Sequence, residues 1–540
     1  MLWVSVPPSG RSHAVSWGID SRVSRRFRAG RFLLAGRVSY TPGVLTEPRF
    51  SSRWGLILSV LGIAVGTGNI WRFPRIAAQN GGDAGAGAFL VAWLVFLFVW
   101  SVPLIVAEYA LGRSARRGVV GTFVHHGGKR RAWMGGFVAL TATAIMFYYS
   151  VVAGWCVHYL GASVLHDLPT TTAASTAVWE DFQSSGFPVL FHGVAMLASV
   201  LVVRRGVGSI ERLNRVLVPT LLVVVLISMG RTLLLDGSSE GIAYLFTPDW
   251  SQLGSANVWL EALTQNAWDT GAGWGLILSY AAYMSARHSV VKNALITAIT
   301  NNVVSLIAAI TIFGTVFAVL GAEMNRAEIL AVMKDSGPAS TGLTFIWMPQ
   351  LFARMALGKP LSILFFLGLS FAALSSLLSM VELAARTLVD HGVQRGRAVV
   401  LTGLVGFLLG VPSAMNLDVL GNQDFVWGVA LMISGLFVAL LARDAGLEKM
   451  RTRLASTEGE WDPGAAWVFL LKVVVPLLAV LLLGWWLYLS ATAYAPETWW
   501  DPFDTYSVAT CVVQWGIAIA LLLALGRWLA SPFERGDADP

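Results

Sequence analysis

The sequence predicts an all-α integral membrane protein with twelve transmembrane helices. Of its 540 residues, 56% are hydrophobic and only 13% are charged, whereas soluble domains carry about 25% charged residues. The apolar residues fall in long runs, and about 20 of them in a row cross a bilayer as a helix. The basic residues behind the net charge of +7 lie in short loops between these runs, which is typical of a membrane protein and not of a nucleic-acid-binding one.

Twelve apolar segments approach or reach the length of a membrane span. They comprise residues 55–79, 88–112, 134–163, 187–204, 213–234, 257–285, 292–320, 360–389, 398–412, 424–442, 466–491 and 506–530. Arginine and lysine collect in alternate loops, such as those after the second and tenth segments, and acidic residues lie in the opposite loops. The positive-inside rule therefore places both termini in the cytoplasm.

The N-terminal residues and the two cysteines argue against a signal peptide, a disulfide framework and a cysteine metal site. Residues 1–50 are polar and arginine-rich and lack the apolar core of a signal peptide. We expect a disordered cytoplasmic tail there, or an upstream start that the cell does not use, followed by the membrane domain over residues 51–540. Cys156 and Cys511 lie in apolar segments, so no disulfide framework or cysteine metal site is expected. The preference for arginine over lysine favours a prokaryotic inner membrane.

Two of the apolar segments are interrupted. Glycines, an asparagine, an arginine and a proline occur within residues 62–74, and residues 269–275 form a second glycine-rich stretch. Broken backbone at membrane depth is tolerated only where protein buries it or where it lines a watery cavity. Its freed carbonyl groups can hold a cation and its freed N–H groups an anion. The interruptions therefore indicate a transport site.

The positions of the interruptions predict an internal repeat. Each interrupted segment, the first and the sixth, opens a set of five helices, so the second set enters the membrane from the opposite side. Paired interruptions of this kind indicate an inverted five-plus-five repeat with a binding site at the bilayer midplane. The first repeat would cover residues 51–235, the second residues 257–443, and residues 466–530 would form two accessory helices.

At these interruptions the sequence resembles the sodium:neurotransmitter symporter family, whose fold type is the bacterial leucine transporter. The resemblance, which includes amino-acid-transporting prokaryotic relatives, runs from about residue 49 to residue 530. It rests on residues 62–74, Gly87-Ala88-Phe89-Leu90, Val102-Pro103 followed by Glu108, Ile210-Glu211-Arg212, the second interruption, and Ala372-Ala373-Leu374-Ser375-Ser376.

The resemblance implies a sodium ion between the first and eighth helices. The matching ligands are the carbonyl groups of Gly62, Val65 and Ala372 and the hydroxyl groups of Ser375 and Ser376. Hard cations prefer such oxygen ligands. The alternative is that both serines hydrogen-bond only within their own helix, as membrane serines often do.

A second sodium ion is implied nearer the substrate. Its matching ligands are the Ala64 carbonyl group, Asn69, Asn301 and the residue at position 269, where the family usually has serine or threonine and this chain has Asp269. An ionisable residue at membrane depth is by default a functional one. Asp269 could instead cap nearby backbone amides.

The same departure bears on chloride, which animal members of the family bind beside this sodium. The matching positions hold Trp93, Gln265, Asp269, Asn301 and Ser305, so a tyrosine hydroxyl is missing and a carboxylate replaces a serine. A fixed negative charge can balance sodium and would repel a second anion. We therefore expect chloride-independent transport. Titration of Asp269, and with it proton coupling, stays open.

The resemblance places the substrate between the two interruptions. Monoamine transporters of the family carry an aspartate at the position of Gly66, so glycine leaves room for a substrate carboxylate, and Tyr149 matches the tyrosine that contacts it. The rest of the pocket favours a neutral hydrophobic or aromatic amino acid, although any one of its residues could be core packing. Its predicted members are Ile63, Ala64, Ile145, Trp268, Asp269, Gly271, Trp274, Ser376 and Met380.

Arg72 and Asp424 match the outer gate of the family. A water-separated ion pair can form and break at modest cost, which suits a gate, although Arg72 could instead be an interfacial anchor. Glu108 matches a buried carboxylate that braces the break in the sixth helix.

Tyr283 and Asp390 match the inner gate, but its usual arginine is displaced. That arginine lies three residues before an aromatic residue in the family, whereas here Arg49 directly precedes Phe50 and Glu47 occupies the expected position. The inner gate of this chain is therefore expected to differ from the family pattern.

These observations predict a sodium-coupled symporter of α-amino acids that works by alternating access and makes or breaks no bond, so it is not an enzyme. Its partners would be the substrate, sodium and the lipid bilayer, without nucleic acid, and the oligomeric state stays open. One alternative is a transporter of an amine or another zwitterion whose nitrogen contacts Asp269. Another is a non-transporting sensor on the same fold.

Overall fold

A computed structural model of the chain describes residues 49–335 and 341–533. Within these ranges the chain is helical, and the only β pairing is one isolated bridge. The predicted all-α fold is therefore confirmed for this part of the chain. The predicted disordered tail, residues 1–50, falls outside the described residues except for Arg49 and Phe50.

The part of the chain that ends at residue 246 contributes ten of the described helices. They are α1 (Arg53–Ala64), α2 (Thr67–Gln79), α3 (Gly87–Phe96), α4 (Val102–Ala115), α5 (Val119–Gly127), α6 (Ala132–Leu165), α7 (Thr172–Ser184), α8 (Phe187–Val203), α9 (Val207–Leu233) and α10 (Ser238–Phe246). A π turn at Leu97–Ser101 joins α3 to α4, and Lys129–Arg131 forms a 3-10 turn before α6.

The remaining described residues contribute thirteen helices. They are α11 (Ala256–Asp269), α12 (Leu276–Ala281), α13 (Val290–Leu320), α14 (Arg326–Lys334), α15 (Met348–Ala353), α16 (Gly358–Asp390), α17 (Arg395–Met415), α18 (Leu417–Asp444), α19 (Leu447–Ala455), α20 (Gly464–Phe469), α21 (Val475–Leu489), α22 (Val508–Ala524) and α23 (Gly526–Ala530). Short π and 3-10 turns occur at Trp250–Gly254, Leu343–Trp347, Leu470–Val474, Ser490–Tyr494 and Ser531–Phe533.

Eight helical segments in the described ranges are long and apolar enough to cross a membrane, and three bent pairs raise the number to eleven. The bent pairs are α1 with α2, α7 with α8, and α22 with α23 and its following turn. The remaining predicted segment, residues 257–285, corresponds to α11 and α12. These helices have only 14 and 6 residues, so each alone is too short, and the number twelve stays a prediction.

The first break separates α1 from α2. Val65 has left the helical conformation, with φ −79° and ψ 84°, and Gly66 is extended. The N–H of Gly66 donates to Asn69 Oδ1 at 2.8 Å, so a side chain of the motif satisfies a backbone group that the break frees. The axes of α1 and α2 differ by 46°. The first helix is thus discontinuous.

The second break separates α11 from α12 and depends on its glycines. Gly271, Gly273 and Gly275 have φ values of 67°, 85° and 78°, a left-handed conformation that residues with a Cβ rarely adopt. Glu108 on α4 accepts the N–H of Gly275 at 2.7 Å and that of Gly273 at 3.4 Å. The buried backbone of the break therefore finds its partner on a neighbouring helix, which is the expected bracing by Glu108.

Three long helices, α6, α16 and α18, bring the two breaks together. Helix α6 packs along both α16 and α18, and α16 also contacts α1. Gly62 permits the close approach of α1 to α16, because a Cβ at this position would lie 3.1 Å from Ser375 Cβ. The unwound backbone therefore faces a cavity inside the protein.

Candidate functional site

A cavity of about 530 Å³ lies between the two breaks. Following the predicted topology, we call its end at Arg72 the outer end and the end of the bundle at Phe50 the inner end. The predicted residues that line the cavity are Ile63, Ala64, Gly66, Asn69, Arg72, Tyr149, Trp268, Asp269, Gly271, Trp274, Ser376, Met380 and Asp424.

The other predicted site residues lie outside the cavity wall. Ile145 is fully buried in α6 and does not line the cavity. Tyr283 and Asp390 lie at the inner end of the bundle. The remaining members of the two predicted ion sites are buried and do not line the cavity; they are Gly62, Val65, Ala372, Ser375 and Asn301.

The contact between α1 and α16 is the first candidate cation site. We call it the serine junction and define it by Gly62, Val65, Ala372, Ser375 and Ser376. Ser376 Oγ donates across to Gly62 O at 3.2 Å, whereas Ser375 Oγ donates to Ala372 O in its own helix at 3.0 Å. Bonding within one helix therefore describes Ser375 but not Ser376. The assembled oxygen atoms are uncharged, and their chemistry fits sodium.

Asn214 on α9 borders this junction and is absent from the sequence prediction. It is fully buried, and neither atom of its side-chain amide has a hydrogen-bond partner in the described structure. A Cβ on Gly62 would lie 3.3 Å from Asn214 Nδ2, so the amide faces the first broken helix. Such a group costs about 1–3 kcal/mol when it is left unpaired. Its only signal in the sequence is one asparagine in an apolar segment.

A second candidate cation site joins α1, α2, α11 and α13. We call it the aspartate junction and define it by Ala64, Asn69, Asp269 and Asn301. One amide atom of Asn301 lies 2.8 Å from Asn69 Nδ2, 3.0 Å from Ala64 O and 3.2 Å from Asp269 O. If this atom is the amide oxygen, it faces two carbonyl oxygens, and if it is the amide nitrogen, it faces the side-chain nitrogen of Asn69. Each orientation therefore leaves one unfavourable contact. A cation among the three oxygen atoms would remove this conflict, so the donor set fits sodium.

The Asp269 carboxylate is held by side chains. Gln265 Nε2 donates to Oδ2 at 2.5 Å, and Ser305 Oγ lies 3.4 Å from the same atom. Both of these partners of Oδ2 are side chains and not backbone amides, and the capping alternative stays a prediction. Trp93, at the position of the missing tyrosine, packs its ring on Phe73 with centroids 4.4 Å apart.

A small polar corner lies where α2 begins. A Cβ on Gly66 would lie 3.1 Å from Ser376 Oγ and 3.4 Å from Tyr149 OH. Thr67 Oγ1 donates to the same tyrosine oxygen at 3.4 Å. The first N–H groups of a helix have no helical acceptor and carry a partial positive charge. The corner can therefore accept a small anionic group.

An aromatic wall faces this corner. Trp268 and Trp274 meet edge to face with centroids 5.5 Å apart, and Trp274 Nε1 donates to Ala267 O at 3.0 Å, which fixes its ring. A Cβ on Gly271 would lie 3.1 Å from Ile63 Cγ2. The wall can therefore bury an apolar or aromatic group.

The outer end of the cavity is open between the two predicted gate residues. Arg72 and Asp424 both line the cavity, and no direct ion pair between them occurs in the described part of the chain. The Arg72 guanidinium group instead lies over the ring of Trp268, 5.0 Å from its centroid.

The inner end is closed by a buried network that the sequence analysis missed. Tyr283 OH donates to Glu382 at 2.6 Å, and Arg395 pairs with the same carboxylate at 2.5 Å. Phe50 is buried, and its N–H donates to Tyr283 O at 3.2 Å. Glu382 lies inside an apolar segment, and a charge at membrane depth is a signal that could have identified it.

Asp390 has a partner other than the arginine of the family pattern. Arg386, one turn earlier in α16, pairs with it at 2.9 Å, and the N–H of Gly118 donates to it at 2.7 Å. Arg386 also donates to Tyr283 OH at 3.2 Å. The charges beside Tyr283 therefore come from α16 and α17.

The two broken helices meet at a cavity that is open at one end and closed at the other. This arrangement is typical of a secondary transporter. The model described as "Sodium:neurotransmitter symporter family" matches residues 47–186 and 188–533, and the chain belongs to this family.

Relatives occur in prokaryotes and animals. A sodium-dependent transporter of Methanocaldococcus jannaschii is 29% identical over 79% of this chain and 88% of its own length. A sodium-dependent transporter of Bacillus subtilis is 27% identical over 80% of this chain and 96% of its own length. The sodium-dependent serotonin transporter of Drosophila melanogaster is 31% identical over 74% of this chain and 70% of its own length.

The crystal structure of MhsT in complex with L-phenylalanine is similar in fold. It has a TM-score of 0.69 and 29% identity, and the match covers 81% of this chain and 98% of that one. The predicted membrane transporter fold is therefore confirmed. As a member of this family the chain is a multi-pass, sodium-dependent transporter and not an enzyme.

Proposed function

We propose that this transporter carries neutral, hydrophobic or aromatic α-amino acids together with sodium by alternating access. The corner at Gly66 carries the argument for the substrate class. Even a single Cβ there would press on Ser376 Oγ at 3.1 Å, so glycine keeps the space free. A substrate carboxylate fits it, because the N-terminus of α2 and the hydroxyl group of Tyr149 favour an anion.

The side-chain preference rests on the aromatic wall. Trp268, Trp274 and Met380 line the cavity, and burying an apolar side chain against them stabilises binding by about 25 cal/mol per Å². The similar protein MhsT has been crystallised with L-phenylalanine, which supports the same substrate class here.

Each junction would hold one sodium ion. The serine junction would bind its ion with neutral oxygen atoms only, whereas the aspartate junction would place its ion beside the corner that receives the substrate carboxylate. Asp269 supplies a negative charge at the second junction. This fixed charge would replace chloride, because a second anion nearby would be repelled. Transport would therefore be chloride-independent.

The two ends of the cavity indicate how the cycle would proceed. Sodium at the serine junction would tie α1 to α16 and favour the state in which the inner end is closed. Substrate would then bring Arg72 and Asp424 together over Trp268. Opening of the inner network around Glu382 would release the ions and the substrate on the other side.

Uptake into proteoliposomes tests the proposal. Labelled phenylalanine, leucine and tryptophan should accumulate with an inward sodium gradient, and should do so equally when gluconate replaces chloride. Replacing sodium with choline should abolish accumulation. Saturable, sodium-dependent binding without accumulation would instead support a sensor, and a chloride requirement would overturn the role of Asp269.

A matched pair of variants tests the corner. Gly66→Ala adds a Cβ next to Ser376 and should reduce amino-acid uptake at least tenfold, since a group that is 1 Å out of place can cost about 100-fold. Gly161→Ala is the control, because a Cβ there meets nothing within 4 Å. Unchanged uptake by Gly66→Ala would contradict the proposed carboxylate position.

A second candidate substrate is an amine or another zwitterion whose nitrogen pairs with Asp269. It is favoured by one observation, that Asp269 itself lines the cavity. Asp269→Ser separates the two possibilities. If Asp269 serves sodium, the ion dependence should change, and if it serves the substrate nitrogen, the substrate selectivity should change.

A further inference from the structure

A second cavity, of about 560 Å³, opens at the inner end of the bundle. It is walled by α4, α5, α19 and the segment that follows α12, and it is separate from the transport site. We call it the basic pocket, because its lining contains no acidic residue. Its lining includes Arg113, Arg116, His125, His126, Lys449 and Arg453.

One acidic residue, Glu460, lies beside the basic pocket and pairs with Arg113. Glu460 lies 3.7 Å from Arg113 but accepts the N–H groups of Val290 and Val291 at 2.6 and 3.0 Å, so it caps the start of α13. Lys449 and Arg453 are exposed, and the described residues provide no ion pair to either. Lys449 and Arg453 therefore contribute positive charge that no ion pair within the described residues compensates.

A half-buried histidine, His126, lies at the wall of the basic pocket. Burial is the largest of the causes that lower the pKa of His126 to about 4; the charges of His125 and Arg453 act in the same direction, and the Leu111 carbonyl group acts against them. Its Nε2 lies 3.0 Å from Ser114 Oγ, so the ring is held as a neutral partner at the pocket wall. An anion here would meet cationic side chains from both α4 and α19.

The basic pocket lies at the level of a membrane surface. Arg113 is in the last turn of α4, at the end of a membrane-length segment, and α19 begins just after the long helix α18 ends. Nearby, Trp461 is 53% exposed and its ring lies 5.3 Å from Lys292 Nζ. Tryptophan beside a basic residue is typical of the interface between lipid and water.

The lining of the basic pocket is partly apolar. Ala110, Ala286 and Leu454 line it together with the basic residues. A soluble anion gains nothing from apolar contacts. A phospholipid has a phosphate group attached to an apolar body, so it can use both the basic and the apolar residues. Basic pockets between membrane helices on the cytoplasmic side bind such headgroups.

We propose that the basic pocket binds the phosphate group of an anionic phospholipid. Arg113 would contact the phosphate group from α4 and Arg116 from the position just after it, and Lys449 and Arg453 would contact it from α19, while the glycerol backbone rests on the apolar part of the lining. The lipid would link α19 to the end of the broken sixth helix, because Ala286 follows α12.

Native mass spectrometry of the delipidated, full-length transporter tests this proposal. Phosphatidylglycerol is titrated against phosphatidylcholine as the zwitterionic control. The double variant Lys449→Gln/Arg453→Gln should bind phosphatidylglycerol roughly 25-fold more weakly, since each basic residue near a membrane surface contributes about fivefold. Arg205→Gln/Arg397→Gln is the matched control, because both of its arginines are exposed and lie outside the pocket. It should bind within twofold of the unmodified protein.

Two further arms separate a lipid bound in the pocket from general surface charge and from soluble phosphate. If both double variants weaken binding equally, the lipid responds to general surface charge and the proposal is wrong. If millimolar inorganic phosphate displaces the lipid from the unmodified protein, soluble phosphate is the ligand and the lipid source is overturned. The exchange Lys449→Arg/Arg453→Lys keeps the charge and should keep binding, which distinguishes lost charge from misfolding.

Discussion

The serine junction and the aspartate junction both connect an unwound segment to its neighbours, but they differ in charge. The serine junction contains only neutral oxygen atoms, and Ser376 supplies its bond between helices at 3.2 Å. The aspartate junction adds a carboxylate that Gln265 holds at 2.5 Å. A carboxylate compensates a bound cation locally, whereas neutral groups leave its charge to the surroundings. The chain therefore provides its own counter-charge at one proposed ion site only.

Removing this carboxylate should have the largest effect. Asp269→Ser should lower chloride-free uptake about tenfold or more, since a hydrogen-bonded charged group contributes about 1.5–3 kcal/mol, and added chloride should restore it. Uptake with and without chloride is the measurement, and Asp236→Ser in an exposed loop is the control. A variant that is equally active in both anions would show that Asp269 does not replace chloride.

Loss of the bond between helices at the serine junction should come next. Ser376→Ala should raise the sodium concentration for half-maximal amino-acid binding about tenfold, because one oxygen ligand of a cation is lost. Ser370→Ala is the matched control, since Ser370 lies in the same helix and its hydroxyl group has no partner in the described structure. An equal effect of both variants would exclude a specific role for Ser376.

Ser375 should matter less than Ser376 within the same junction. Its hydroxyl group already donates to Ala372 O, and such bonds within a helix contribute little to stability. We expect Ser375→Ala to raise the half-maximal sodium concentration about two- to threefold, measured in the same binding assay. A larger effect than that of Ser376→Ala would reverse the order of the two ligands.

Asn214 gives the smallest expected change. Replacing an unpaired buried amide with an apolar group of similar size is nearly neutral or stabilising. Asn214→Leu should therefore raise the unfolding temperature by on the order of 1–2 °C, measured by thermal unfolding in detergent without sodium. A clear loss of stability would mean that the amide has a partner, such as water or the ion itself.

The positions of both breaks could be predicted from sequence, because a cluster of glycine and polar residues inside an apolar run does not suit a continuous spanning helix. The motif at residues 62–74 and the Ser375-Ser376 pair also identified the part of the cavity wall where α1, α2 and α16 meet. Ile145 shows the limit of matching by motif: it lies near the site in the chain but is buried behind the wall. Successive residues of a helix point in different directions, so a residue next to a lining residue in sequence can face another helix instead of the cavity.

The inner network could not be predicted in the same way. Glu382, Arg386 and Arg395 come from α16 and from the start of α17, and they meet Tyr283 only because helices distant in sequence end at the same place. No local pattern specifies such a meeting. The contacts of the Asn301 amide could not be predicted from sequence either. They depend on residues of three other helices that meet it only in the folded protein.

The bond between Glu108 and the second break has a mechanical consequence. Because the carboxylate on α4 holds the N–H groups of Gly273 and Gly275, α12 is tethered to α4 at the point where it begins. Glycine permits the left-handed conformation that interrupts the helix here, and it weakens a continuous helix. Paired spin labels on α4 and α12 should thus keep a constant separation through the transport cycle, and the swing should occur at the joint with α11.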